Sequence, residues 1–258
     1  MGKIVAVANQ KGGVGKTTTS LNFASGLART RKRVLLVDFD PQGNATSGIG
    51  FDKAEIQKTV YDLLLNGTHS DEAILKTEFE NLELLPSNVN LTGAEVELVG
   101  MNDRESQLKN ILNNLKTKYE YIIIDCPPSM GLLTLNALTA ADSILIPIQC
   151  EYFALEGLSQ LLNTFQLVKE NLNEKLEIGG ILMTMWDGRN NLSRSVVKEV
   201  QQYFGDKIYK TMIPRNVKVS ESPSFGKPVI YYDIRSVGAE SYLLFTKEFL
   251  KREQQKEN

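Results

Sequence analysis

The sequence predicts an α/β protein whose mostly parallel, twisted sheet is covered by helices on both faces. Short runs rich in Val and Ile recur along the chain, and their apolar character is nearly continuous, which is typical of strands buried on both faces. Longer stretches with helical periodicity separate these runs and supply the covering layers. The predicted strands are Lys3–Ala8, Arg33–Asp38, Leu82–Pro86, Tyr121–Asp125, Ser143–Pro147 and Ile178–Thr184. The predicted helices are 16–30, 103–117, 153–171, 192–203 and 238–251.

The composition is that of an ordinary globular chain. Its 258 residues are 42% hydrophobic and 23% charged, which favours one large core and excludes disorder and fibrous repeats. No apolar run is long enough for a membrane span or an export signal, so we expect a cytoplasmic protein. Cys126 and Cys150 form no CxxC motif, and we expect both to be small buried residues. Without a linker or repeat, we expect one domain over 1–258, with 251–258 as a flexible tail.

The segment between the first strand and the first helix has the features of a phosphate-binding loop. Residues 9–18 read Asn-Gln-Lys-Gly-Gly-Val-Gly-Lys-Thr-Thr. Glycines let backbone N–H groups converge on anionic oxygens, and the helix N-terminus adds a positive potential. Lys16 can reach the β and γ phosphates, and the Thr17 hydroxyl can coordinate Mg²⁺. The general pattern requires a glycine where this chain has Gln10, and a second lysine, Lys11, stands at the front of the loop.

With these residues the chain resembles the deviant Walker A ATPases, specifically the ParA/Soj branch of the ParA/MinD superfamily, over essentially its whole length. The resemblance implies a P-loop NTPase fold, ATP and Mg²⁺ as ligands, and ATP hydrolysis. It also implies that Lys11 reaches the nucleotide of a second subunit, so that ATP is held between two copies in a homodimer. Lys11 and Lys16 are then catalytic as well as nucleotide-binding, and the full set of expected nucleotide contacts in the loop is Lys11, Gly12, Gly13, Val14, Gly15, Lys16, Thr17 and Thr18.

Three carboxylates lie at the end of a predicted strand or just after it, at the sheet edge where ligands bind in open α/β folds. Asp38 and Asp125 are, with Thr17, the candidate magnesium residues, Asp38 acting through water. Asp40 is the candidate to orient the attacking water or accept its proton, and the resemblance links this position to hydrolysis. From the residues alone, Asp40-Pro-Gln-Gly also fits a surface turn. An Asp at the end of one apolar strand is, by itself, a weak signal.

Two predictions in the C-terminal third depend mainly on the resemblance. Pro214, Arg215 and Asn216 have the chemistry of a turn, and the matching family segment lines the adenine base. The region 186–252 holds 12 Lys and Arg against seven acids, a local balance of +5 in a chain of net charge −2. That excess alone is equally compatible with a mixed, solvated surface. The resemblance implies that Arg189 and Lys218 contribute to DNA binding that is independent of sequence.

We therefore expect a dimerising ATPase that associates with the nucleoid when ATP-bound and drives chromosome or plasmid partitioning with a ParB-like partner. One alternative is a MinD-like ATPase that works at the membrane surface to position cell division. A membrane anchor of that kind would require the apolar stripe within 242–250 to lie at the very end of the chain, with basic residues on either side. The stripe fits better as part of a helix docked on the core, so no membrane contact is expected. The other alternative is a small-molecule ligase of the dethiobiotin synthetase type, which would not need Lys11 in a second subunit.

Overall fold

A sheet of seven strands runs through the part of the chain that this computed structural model describes, residues 2–151 and 156–257. The strands are β1 Lys3–Val7, β2 Val34–Asp38, β3 Leu75–Lys76, β4 Leu82–Leu85, β5 Tyr121–Asp125, β6 Ser143–Gln149 and β7 Glu177–Thr184. Their order in the sheet is β3-β4-β2-β5-β1-β6-β7. All neighbours pair in parallel except β3 and β4, which are antiparallel. The predicted fold class is confirmed.

Helices cover both faces of this sheet. They are α1 Lys16–Arg29, α2 Asn44–Gly48, α3 Val60–Leu65, α4 Ser70–Ala73, α5 Leu91–Glu97, α6 Gln107–Leu115, α7 Leu132–Ala140, α8 Glu156–Asn171, α9 Asn191–Phe204, α10 Val217–Glu221, α11 Val229–Tyr232 and α12 Val237–Glu257. Because side chains of a strand alternate between faces, each strand feeds two cores. In β1, Ile4 and Ala6 pack in the core shared with α5 to α9, while Val5 and Val7 pack in the core shared with α1 and α12.

The six predicted strands are all present, whereas the strand β3 and the helices α2 to α5, α7, α10 and α11 were not predicted. The residues of α7 are apolar on almost every side and mostly buried, so no helical period stands out in its sequence. The strand β3 has only two residues. The helix predicted over 103–117 begins only at Gln107, and residues 153–155 of the predicted helix 153–171 lie outside the described part of the chain.

The last helix ends later than the sequence predicts. The helix α12 continues to Glu257, and its last turns are held by polar contacts. Arg252 donates to the carbonyl oxygens of Asp206 and Ile208, at 3.0 and 2.6 Å. Glu253 pairs with Lys3, and Lys256 lies 3.2 Å from Glu177. Such pairings between distant segments leave no apolar pattern in the sequence, which is why the helix was expected to end earlier.

The apolar stripe of α12 is buried against the first helix. Tyr242, Phe245 and Phe249 are at most 2% exposed. The ring of Phe23 on α1 lies 5.1 Å from that of Phe245 and 4.7 Å from that of Phe249, centroid to centroid. The stripe therefore docks the last helix on the core. Across the described residues, we find no helix with the length and apolarity that crossing a membrane requires.

Candidate functional site

The loop between β1 and α1 is fixed by two neighbouring strands. The Thr184 hydroxyl at the end of β7 donates to the carbonyl oxygen of Val14 over 2.8 Å. The Asn9 side-chain amide donates to the carbonyl oxygen of Pro147 in β6 over 2.8 Å, and its oxygen accepts the backbone N–H of Lys11 at 3.0 Å. The loop is thus held in place at the carboxyl edge of the sheet.

The glycines of the loop leave an open cradle at the start of α1. Gly13 and Gly15 have φ angles of 73° and 89°, the left-handed region that glycine adopts without steric cost. A Cβ atom added at Gly12 or Gly13 would meet no described atom within 4 Å. Among the described residues, no side chain caps the N-terminus of α1. Its first backbone N–H groups are therefore available to an anion.

Lys16 brings a buried ammonium group to this cradle. The residue is only 7% exposed, and its Nζ donates to the carbonyl oxygen of Lys11 over 3.1 Å. Burial lowers the pKa of Lys16, and the nearby Asp125 carboxylate opposes that shift. A desolvated cation beside free N–H groups is suited to bind phosphate oxygens.

Lys11 is held less firmly than Lys16. Its Nζ lies 3.8 Å from an oxygen of Glu151, and its side chain is 32% exposed. Arg215 reaches the same carboxylate at 3.5 Å. Ion pairs this long and this exposed contribute little stability, so Lys11 is available to another partner. Sequence reasoning missed Glu151, although its position just after β6 placed it at the same sheet edge.

Asp38 and Asp125 face each other in register on the adjacent strands β2 and β5. Both are fully buried. One oxygen of Asp38 accepts the Thr46 backbone N–H and hydroxyl, both at 2.7 Å, and the Ser20 hydroxyl donates to Asp125 over 2.9 Å. Burial raises the pKa of Asp38 to about 6. Burial, followed by repulsion from Asp38, raises the pKa of Asp125 to about 8.

The two buried carboxylates have the chemistry of magnesium ligands. Oδ2 of Asp125 is buried and has no hydrogen-bond partner among the described residues. Mg²⁺ usually keeps several waters and takes one or two carboxylates together with substrate phosphates. No group of three or more His, Cys, Asp or Glu side chains in residues 2–151 and 156–257 could hold a metal ion directly. Asp38 and Asp125 supply two such carboxylates, and their role as magnesium residues, together with Thr17 on the first turn of α1, stays a prediction.

Asp40 lies in a tight turn next to Asp38. Its backbone N–H donates to an oxygen of Asp38 at 3.3 Å, and its own carboxylate accepts the backbone N–H of Gln42 at 2.9 Å. The Gly43 N–H closes the turn on the carbonyl oxygen of Asp40 at 2.9 Å. Asp40 is only 7% exposed. The turn predicted from Asp-Pro-Gln-Gly is present, with Asp40 and Gly43 buried and Gln42 exposed.

The segment 214–216 lies beside the end of β7. The backbone N–H of Ile213 donates to Met183 at 2.9 Å, and the N–H of Arg215 donates to Trp186 at 3.2 Å. The Asn216 side chain caps α10. Since Thr184 of β7 also holds the phosphate loop, the structure brings this segment and the loop to one edge. A contact with adenine remains a proposal.

The two predicted DNA-binding cations are both paired with a neighbouring carboxylate. Arg189 has a side chain that is 91% exposed and donates to both oxygens of Asp187, at 3.0 and 2.9 Å. Nζ of Lys218 lies 2.6 Å from an oxygen of Glu221. Exposed pairs of this kind are weak, so a phosphate could replace either carboxylate. Sequence reasoning did not find these pairings.

Comparison with known proteins shows similarity over nearly the whole chain. A family model described as an AAA domain matches residues 2–178. The sporulation initiation inhibitor protein Soj of Bacillus subtilis is 60% identical over 248 residues, which cover 96% of this chain and 98% of that protein. The chromosome partitioning protein ParA of Myxococcus xanthus is 55% identical over 253 residues, covering 98% of this chain and 89% of that protein. The chain belongs to the Soj/ParA family of partitioning ATPases.

Among solved structures, cobyrinic acid a,c-diamide synthase from Mycobacterium smegmatis has the same fold as this Soj/ParA chain. The two share 37% identity with a TM-score of 0.87, over 98% of this chain and 96% of that one. That protein has been solved with bound ADP and magnesium and with a bound ATP analogue and magnesium. The predicted family is confirmed by these comparisons.

Proposed function

We propose that this chain is an ATP-dependent, dimerising ATPase that binds DNA without sequence preference and drives chromosome or plasmid partitioning with a ParB-like partner. The observation that supports this most strongly is the contrast between the two loop lysines. Lys16 is buried and turned back on the Lys11 carbonyl, whereas Lys11 is partly exposed with only a long contact to Glu151. We assign Lys16 to the triphosphate of its own chain and Lys11 to that of a second copy.

The nucleotide would lie in the glycine cradle. The backbone N–H groups of residues 12–18 donate to its phosphates, Lys16 neutralises their charge, and the segment 214–216 covers the base. Thr17, Asp38 and Asp125 would hold Mg²⁺, which neutralises charge on the β and γ oxygens when bound. The nucleotide and magnesium found in the Mycobacterium smegmatis protein support this assignment.

Asp40 is the proposed hydrolytic residue. The Gln42 N–H orients its carboxylate, and its burial beside Asp38 keeps it at the edge where the γ phosphate would lie. There Asp40 positions the attacking water and accepts its proton. Loss of the γ phosphate then weakens the hold of Lys11 on the second copy, and the dimer separates.

DNA binding would follow dimerisation. Arg189 and Lys218 exchange their carboxylate partners for DNA phosphates, contacts that carry no sequence information and weaken steeply with salt. A dimer doubles the number of such contacts, so nucleotide state sets whether the protein is free in the cytoplasm or bound to the nucleoid.

Mass in solution and DNA binding with a non-cleavable ATP analogue test the proposal. We expect Lys11→Ala to stay monomeric and Lys16→Ala to lose nucleotide. We expect Asp40→Ala to keep dimer and DNA but stop turnover, and Arg189→Glu to keep the dimer and lose DNA. Lys32→Ala, which removes a half-exposed lysine paired with Glu120, is the matched control. A wild-type chain that stays monomeric at saturating analogue would contradict the proposal.

One observation favours a second candidate, the small-molecule ligase, since the Mycobacterium smegmatis protein bears the name cobyrinic acid a,c-diamide synthase. The relatives at 55–60% identity favour partitioning more strongly. Turnover separates the two: a ligase would hydrolyse ATP at the same rate with or without duplex DNA and would tolerate Lys11→Ala. Flotation with liposomes and ATP tests the membrane-surface alternative.

A further inference from the structure

A lysine that follows α2 reaches back to residues 40–43, which we call the Asp40 turn. The Nζ of Lys53 donates to the backbone carbonyl oxygen of Gln42 over 2.7 Å, from a position 11 residues further along the chain. This distance is at the short end of the range for an N–H···O bond. Because the donor is charged, the bond is about twice as strong as one between neutral groups.

The carbon stem of Lys53 covers the next residue of the same turn. A Cβ atom added at Gly43 would lie 2.5 Å from Cδ of Lys53 and 2.8 Å from the carbonyl oxygen of Ser87. The stem therefore passes directly over the backbone of Gly43, while the ammonium group binds the carbonyl of the residue before it. One side chain thus contacts the Asp40 turn in two places.

The backbone that carries Lys53 has hydrogen bonds of its own. The Asp52 carboxylate accepts the backbone N–H of Ala54 at 2.9 Å, and the Asp52 carbonyl oxygen accepts the N–H of Glu55 at 3.1 Å. Such bonds from an aspartate to the residues that follow it are typical of a tight turn. Lys53 therefore extends from one turn to hold another.

The peptide unit that Lys53 holds is the one that closes the Asp40 turn. The carbonyl of Gln42 and the N–H of Gly43 belong to the same peptide unit, which is planar and rigid. That N–H donates to the carbonyl oxygen of Asp40 at 2.9 Å, and the N–H of Gln42 donates to the Asp40 carboxylate at 2.9 Å. Fixing the Gln42 carbonyl therefore fixes the direction of the Gly43 N–H. Hydrogen bonds linked in this way also polarise and strengthen one another.

We propose that Lys53 is a positioning residue for ATP hydrolysis: by holding the peptide unit between Gln42 and Gly43, it keeps the Asp40 carboxylate in the orientation that the attacking water requires. The inference rests on the proposed function, because it takes Asp40 as the residue that positions this water. Lys53 acts through the Asp40 turn and not on the substrate. A catalytic group misplaced by about 1 Å can lower a rate by about a hundredfold, so one bond that fixes the turn has a measurable effect.

Single-turnover hydrolysis of radiolabelled ATP measures the step that Lys53 should affect. Lys53→Met keeps a stem over Gly43 and removes the ammonium group, so we expect the rate to fall by about tenfold or more. Affinity for a non-cleavable ATP analogue and dimerisation with it should stay unchanged, because Lys53 lies outside the phosphate loop. Lys53→Arg retains a charged donor and should restore most of the rate. Lys58→Met makes the same substitution at an exposed lysine five residues further on and serves as the matched control.

Hydrogen exchange of the nucleotide-free protein tests the contact without any turnover. The backbone N–H groups of Gln42 and Gly43 are both bonded to Asp40. If Lys53 holds the turn, these two amides should exchange several-fold faster in Lys53→Met and at the wild-type rate in Lys58→Met. Exchange that is unchanged in Lys53→Met would overturn the inference.

The variant Asp40→Ala separates this inference from the proposed function. If Asp40→Ala hydrolyses ATP at the wild-type rate, the hydrolytic assignment is wrong and the role of Lys53 falls with it. If Asp40→Ala stops turnover while Lys53→Met keeps the wild-type rate, only the role of Lys53 is overturned. Adding Lys53→Met to Asp40→Ala should not lower the residual rate further. A loss as large as in the wild-type background would mean that Lys53 acts independently of Asp40, which excludes positioning.

Discussion

Replacing Asp125 with Asn should make the nucleotide-free protein less sensitive to rising pH. Burial and the neighbouring Asp38 raise the pKa of Asp125 to about 8, against an ordinary value near 4. Between these values the folded chain holds a proton that the unfolded chain has released, so raising the pH favours unfolding. An Asn side chain keeps the oxygen that accepts the Ser20 hydroxyl and carries no charge at any pH.

The size of the effect follows from the linkage between proton binding and the free energy of unfolding. Each pH unit between the two pKa values costs the folded state about 1.4 kcal/mol for one group. From pH 5 to pH 7 the stability of Asp125→Asn should therefore rise relative to wild type by roughly 2–3 kcal/mol.

Urea unfolding of the nucleotide-free protein at pH 5, 6, 7 and 8 measures this difference. Asp52→Asn, which changes an exposed aspartate, is the control and should show no such trend. A difference between wild type and Asp125→Asn that stays constant from pH 5 to pH 8 would refute the assignment of a buried, protonated carboxyl at this position.

Three further predictions concern packing and the loop. Gly15→Ala forces a residue with a side chain to adopt a φ of 89°, which costs about 1–2 kcal/mol. Calorimetric titration should therefore show that the variant binds an ATP analogue more weakly than wild type, and unchanged affinity would contradict this. Gly26→Ala collides with Thr246 on α12 and should destabilise the protein by about 1–3 kcal/mol in urea. Adding Thr246→Ala should restore part of the loss, and simple additivity would argue against the contact. Burial raises the pKa of Cys126, and it raises the pKa of Cys150 to about 12. A thiol reagent should therefore label both cysteines slowly until urea is added. Fast labelling of the folded chain would contradict this.

The sequence predicted those elements whose pattern is set by burial on one side or on both. The strand Tyr121–Asp125 is buried on both faces and reads as a continuous apolar run, so its end and its carboxylate were located correctly. The helix α7 could not be located in this way, because Leu132–Ala140 is apolar almost all round. The extension of α12 past Lys251 depends on ion pairs with distant residues, which have no local signature.

Within the site, the loop and its carboxylates were predictable and their partners were not. Asp38 and Asp125 follow from the rule that strand ends meet at one edge, and the structure places them in register. The hydroxyl that holds Asp125 comes from Ser20, a residue 105 positions away.

The polar contacts at the end of α12 also determine where an attached label would lie. Lys3 and Glu177, which pair with Glu253 and Lys256, stand at the first residues of β1 and β7, whereas the phosphate loop follows the last residue of β1. The two ends of β1 are about 15 Å apart. A fluorescent protein fused after Glu257 would thus lie near the edge of the sheet where the parallel strands begin, whereas the nucleotide cradle lies at the edge where they end. Imaging in cells could then follow the chain without obstructing its chemistry.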